Sequence, residues 1–127
     1  MSSPLSGLRI LVLEDEALIA LDVEQLCRDH GAGEVAIAGN LREARELAKP
    51  YDAAIIDVML GGEPTFDFAR SLKVAGVPFV FASGYDKLDE VFADFPGVAL
   101  VSKPYAGADL IEAVAESIRK AARSADS

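Results

Sequence analysis

Four short runs of apolar residues punctuate the chain, at residues 8–13, 53–56, 79–82 and 98–101, each continuous rather than alternating. Runs of that length, rich in Val, Ile, Leu or Phe, predict strands covered on both faces. A weaker fifth run at residues 35–38 suits a strand near a sheet edge. Helical patterns fill the gaps. From Glu16 to His30, the residues Leu18, Leu21, Gln25 and Leu26 mark a stripe with one polar interruption, and Gly31 is a natural stop after the last turn. Asn40 is placed to cap a helix over residues 41–49, which Pro50 ends. Residues 65–75 carry Phe66, Ala69 and Leu72 or Lys73 at helical spacing before Gly76 and Pro78. A short, weak pattern at residues 86–92 is closed by Phe95, Pro96 and Gly97. The last, at residues 106–123, carries Leu110, Ile111, Val114 and Ile118 at helical steps.

Strand followed by helix, repeated five times, implies a parallel sheet, because parallel neighbours need crossover connections and those are right-handed. Helices then cover both faces of the sheet. The expected fold is α/β, a five-stranded doubly wound parallel sheet of flavodoxin-like order 2-1-3-4-5.

A length of 127 residues with 51% hydrophobic content suits one domain over residues 1–127, with a core at about 7–123 and no output domain. The 12 basic and 21 acidic residues give a formal net charge of -9, which repels a phosphate backbone and argues against nucleic acid as the main partner. Proteins and cations fit better. No apolar run is long enough to cross a bilayer, and residues 1–7 lack the basic and apolar regions of a signal peptide, so the expected location is the cytoplasm. Cys27 is the one cysteine, which excludes an internal disulfide and reads as a small buried helix residue. His30, in the last turn before Gly31, reads as a charge-favouring helix end rather than a phosphotransfer residue.

In an open parallel sheet the functional crevice lies beyond the carboxyl ends of the strands. There the chain places Glu14, Asp15 and Glu16 after strand one, Asp57 after strand three, Ser83 after strand four and Lys103 after strand five. Clustered carboxylates repel: two charges about 4 Å apart cost roughly 4 kcal/mol at an effective dielectric of about 20. A divalent cation is the simple remedy, and an all-oxygen donor set suits magnesium, which keeps water positions open for a phosphate. Magnesium and Lys103 together can neutralise an incoming phosphoryl group. Asp57 is then the candidate nucleophile, forming an acyl phosphate, with Ser83 and Lys103 each offered to a phosphoryl oxygen. Singly these residues also read as strand-end turn and helix-start residues. Their joint placement favours the chemical reading.

This ordered set, with Asp57 inside Ile56-Asp57-Val58-Met59-Leu60 and Lys103 followed by Pro104, resembles the bacterial response-regulator receiver domains of two-component signalling across nearly the whole chain. The resemblance implies that Asp15 and Asp57 bind magnesium directly, that Glu14 acts mostly through water, and that the Met59 carbonyl completes the protein ligands. It also implies that Lys103-Pro104 is a candidate cis bond. Glu14 stands where many receivers have aspartate, and Ser83 where threonine is common. The stretch Pro78-Phe79-Val80-Phe81-Ala82-Ser83-Gly84-Tyr85 further resembles the FAT GUY receivers, often single-domain proteins that lack the strand-five aromatic switch residue; here that position is Leu100.

The function so implied is a phosphoacceptor switch that takes a phosphoryl group from a histidine kinase or histidine phosphotransfer protein, changes its protein contacts, and slowly dephosphorylates itself. A phosphate shuttle or sink, or the receiver part of a hybrid kinase, are the alternatives within that class. A monomer or weak dimer with a downstream protein target, and no nucleic acid or membrane partner, is expected. A flavin or nucleotide protein on the same fold is disfavoured, because such sites offer glycine and hydroxyl residues after strand one, where this chain has three acids. With Leu100 unable to act as an aromatic switch, the expected route for the signal runs from Ser83 through Gly84 to Tyr85 as a movable anchor of residues 85–96.

Overall fold

The computed structural model describes residues 3–47, 50–84, 93–103 and 106–126, the last three by backbone alone. The helix expected at residues 86–92, Tyr85 and the Lys103-Pro104 bond lie outside the described residues. Five parallel strands, β1 (Arg9–Leu13), β2 (Glu34–Ala38), β3 (Ala53–Asp57), β4 (Phe79–Ser83) and β5 (Leu100–Ser102), form one sheet of order 2-1-3-4-5. Helices bounded within the described residues flank it: α1 (Ala17–Asp29), α2 (Leu41–Glu46), α3 (Phe66–Ala75) and α4 (Gly107–Asp126), the last corresponding to the pattern expected at residues 106–123. Among the described residues no helix is long and apolar enough to cross a membrane.

Strand period two splits the apolar runs between two cores. Leu11, Leu13, Ala54, Ile56, Phe79 and Phe81 face α2 and α3 with Leu41, Ala44, Ala69 and Leu72. Ile10, Val12, Ala53, Ile55 and Val80 face α1 and α4 with Val23, Cys27, Leu110, Ile111 and Val114. Both faces are therefore covered, which is why the runs are continuous. β2 lies at an edge and shows more exposure, as its weaker pattern predicts.

Several local expectations shift. The stripe assigned to α1 is rotated: Ala20, Val23 and Cys27 are buried, with Ile19 and Leu26 beside them, whereas Leu18 is 79% and Leu21 55% exposed. α1 lies beside α4 on one face of the sheet, and the two pack closely: a Cβ added at Gly107 would meet Leu26 Cδ1 at 3.0 Å. α2 is shorter than its pattern, ending at Glu46 with Leu47 as its cap; its start is as expected, Asn40 accepting the Glu43 N–H at 2.9 Å. β5 starts at Leu100, and Val98 packs against the core from outside the strand. The packed region also reaches back beyond Gly7. Leu5 is fully buried, and its N–H bonds to the His30 carbonyl at 3.1 Å, so a short turn docks on the end of α1.

Between β3 and α3 the chain forms a small antiparallel hairpin, Met59–Leu60 with Glu63–Pro64, which no alternation in the sequence announces. Gly61 and Gly62 turn it with φ of 59° and 82°, the left-handed pair that a type I′ hairpin turn requires.

Candidate functional site

The carboxyl ends of β1, β3, β4 and β5 meet at one edge of the sheet. Glu14 continues the β1 ladder through its N–H to the Ala38 carbonyl at 3.0 Å, and its side chain is buried. Its Oε1 accepts the Glu16 N–H at 3.0 Å, and its Oε2 accepts the Lys103 ammonium at 2.6 Å. Lys103 also donates to Asp57 Oδ2 at 2.7 Å. The Met59 N–H reaches Asp57 Oδ1 at 3.4 Å. Asp15, next along from Glu14, is exposed. One carboxylate oxygen from each of Glu14, Asp15 and Asp57 lies within 4.8 Å of the others, the one such cluster of three potential metal-binding side chains among the described residues.

Ser83 closes the opposite side. It is the last residue of β4, buried, and its carbonyl accepts the Lys103 N–H at 2.8 Å, so the strand pairing that sets Ser83 also sets the lysine. Gly84 follows in a bend with open space where a Cβ would stand. Leu100, at the start of β5, is partly buried against the aromatic core under β4, with no ring to move.

No protein-family model matches the chain. It is 33% identical over 111 residues to the transcriptional regulatory protein PdtaR of Mycobacterium tuberculosis, a match that takes in 84% of this chain and 54% of that protein. The chain thus spans about half the length of that curated relative. Among solved structures it superposes on a response regulator receiver protein from Sinorhizobium medicae WSM419 with a TM-score of 0.80 and 26% identity, covering 91% of this chain and 97% of the other. The chain belongs to the response-regulator receivers of two-component signalling. A further likeness, to the receiver domain of Erythrobacter litoralis PhyR, has a TM-score of 0.74 at 24% identity over 90% of this chain and 92% of the other, and concerns the fold.

The electrostatics of the receiver site follow from one ammonium serving two carboxylates. At Asp57, burial raises the pKa above the ordinary aspartate value; Lys103 pulls it down without cancelling the rise, and Glu14 adds to it. At Lys103, burial acts to lower the pKa, but hydrogen bonds to Asp57 and Glu14 outweigh it and hold the lysine above its ordinary value. With all groups ionised, three carboxylates and one ammonium leave two negative charges at the edge. An all-oxygen cluster of that charge fits a magnesium ion.

The structure thus brings together Glu14, Asp15, Asp57 and Lys103, with Met59 and Ser83 adjoining them. One residue the sequence reading missed is Thr65. Its side chain is completely buried, and its hydroxyl donates to the Asp57 carbonyl at 2.7 Å. A threonine at a helix start reads as a cap, so nothing local signals that its partner lies eight residues back.

Proposed function

We propose that this receiver is a phosphoacceptor switch in which Asp57 takes a phosphoryl group from a histidine kinase or a histidine phosphotransfer protein. The observation that carries the reading is the Lys103 ammonium held 2.7 Å from Asp57 Oδ2, beside three carboxylates gathered within 4.8 Å. Asp57 Oδ attacks phosphorus, the P–N bond to the donor imidazole breaks, and its electron pair stays on the imidazole nitrogen. Lys103 then offers its charge to a phosphoryl oxygen, and Ser83 its hydroxyl to another. Asp15, Asp57 and the Met59 carbonyl would hold magnesium with Glu14 nearby, and the bound ion would neutralise the phosphoryl oxygens and the carboxylates together. Hydrolysis of the acyl phosphate by water returns Asp57, and a change of protein contacts is the output.

The subfamily reading rests on Phe79-Val80-Phe81-Ala82-Ser83-Gly84 and on Leu100 at the aromatic switch position. Both support a FAT GUY-type receiver. Incubation with acetyl phosphate and magnesium, followed by intact mass measurement, tests the central step. A single added phosphoryl group in the wild type that disappears in Asp57→Asn is the expected result; the same added mass in both proteins overturns the assignment.

A further inference from the structure

Thr65 stands at the boundary of α3, where a threonine hydroxyl ordinarily accepts the N–H of a residue two or three further on. Here it makes no such capping bond. The side chain turns back instead, with Oγ1 2.7 Å from the Asp57 carbonyl oxygen and 3.1 Å from that of Val58. One hydroxyl proton is shared between two acceptors and leans to the nearer, Asp57. The Thr65 N–H adds a bond to the Val58 carbonyl at 3.0 Å.

These contacts grip two successive peptides at the point where β3 ends. The next residue is Met59, whose N–H points to Asp57 Oδ1 and which pairs with Pro64 across the hairpin. Residues 57–65 therefore form a closed loop: strand end, hairpin, and a threonine that clasps the start of the loop from its finish. The fully buried hydroxyl leaves its own helix end uncapped to do so. Whatever fixes the Asp57 carbonyl also fixes the Asp57 backbone, and with it the direction of the carboxylate and the seat of the Met59 peptide.

We propose that Thr65 is a positioning residue for phosphoryl transfer at Asp57, acting through the carbonyl of Asp57 and the turn to Met59. The proposal rests on the reading of Asp57 as the phosphoacceptor. Small displacements at a reacting centre are costly in rate even when they arise in a residue that touches neither reactant, which is the scale the clasp controls.

Two substitutions separate the hydroxyl from the shape. Thr65→Ser keeps the donor and loses the methyl group; Thr65→Val keeps the shape and loses the donor. Phosphoryl uptake from acetyl phosphate is followed by intact mass at saturating magnesium, with folding checked by thermal melting. Uptake in Thr65→Val is expected to slow by roughly tenfold or more, and in Thr65→Ser to stay within about twofold of wild type. Amide exchange at Met59, measured by NMR without metal or donor and referred to Val12 in β1, is expected to quicken in Thr65→Val alone. Equal uptake in Thr65→Val and wild type, or an equal loss in both variants, overturns the proposal, the second outcome marking a packing role. Should Thr65→Val not fold, Thr65→Ala set against Thr65→Ser gives the same contrast. A wild type that takes up no phosphoryl group removes the phosphoacceptor reading and the catalytic part of the proposal with it. The Met59 amide still decides separately whether Thr65 sets the turn.

Discussion

Lys103 Nζ lies 2.6 Å from Glu14 Oε2, although the two residues are 89 positions apart and β3 and β4 separate their strands. The lysine bridges the outer strands of the site by resting on Asp57 between them. Glu14 and Asp57 are both buried, so removal of the ammonium leaves two carboxylates facing each other without a counter-charge. Lys103→Met is expected to lose about 2 to 3 kcal/mol, toward the low end for breaking a buried pair because the lysine keeps some exposure. Magnesium is expected to restore part of the loss. Urea unfolding with and without the ion checks both; a variant as stable as wild type in its absence contradicts the bridge.

The raised Asp57 pKa has a direct consequence for stability. In the folded protein the carboxylate holds its proton more tightly than in the unfolded chain, so the penalty of ionising it builds as pH rises from about the ordinary aspartate value through the folded one. Asp57→Asn lacks that penalty. The variant is therefore expected to melt above wild type at neutral pH without magnesium, with the gap narrowing on acidification toward about pH 4. A gap that is constant or widens on acidification is incompatible with this sign.

Asp15 differs from Glu14 and Asp57 in being exposed. Asp15→Asn is expected to leave stability without metal within about 0.5 kcal/mol of wild type. Its magnesium affinity should nonetheless fall by about tenfold or more, through loss of a ligand and of a charge. Calorimetric titration of the two proteins decides the point, and equal affinities remove Asp15 from the metal site.

Phe95 sits at the centre of an aromatic cluster, its ring 5.2 Å from Phe81, 5.9 Å from Phe79 and 6.0 Å from Phe66, with Arg70 5.8 Å above it. Phe95→Ala is expected to cost about 3 to 5 kcal/mol. Leu18→Ala, on the exposed side of α1, is expected to cost no more than about 0.5 kcal/mol. Denaturant midpoints for the pair test the observed rotation of α1 directly; a comparable loss for both would return Leu18 to the core.

The four strong strands were legible because each is an unbroken apolar run, and the weaker β2 because its run, though half alanine, still stands between two helical patterns. From that alternation the sheet order followed, since crossover geometry leaves few alternatives. Glu14, Asp57, Ser83 and Lys103 were legible for the same reason: each directly follows or ends a strand, with Asp15 one residue further on, so their place at one edge is a property of chain position.

What the local pattern could not carry is direction across the fold. Leu18, Ile19 and Leu21 are the larger apolar side chains in the first half of α1, and hydrophobicity by itself does not say that Ile19 packs on the core while Leu18 and Leu21 face solvent. The packing of α1 on the sheet and beside α4 turns Ala20, Val23 and Cys27 inward. Leu5 and Phe95 join the core only because the end of α1 and the face of β4 are already there to receive them. The hydroxyl of Thr65 has a nearby helix end to cap and a distant carbonyl to clasp, and only the path of residues 57–65 brings the second within 2.7 Å. Strand, helix and their order are set by interactions between near neighbours in the chain, which residue type and spacing record. Which face is buried, which ammonium meets which carboxylate and where a buried hydroxyl donates are set by contacts between distant segments, and these exist only once the sheet has closed.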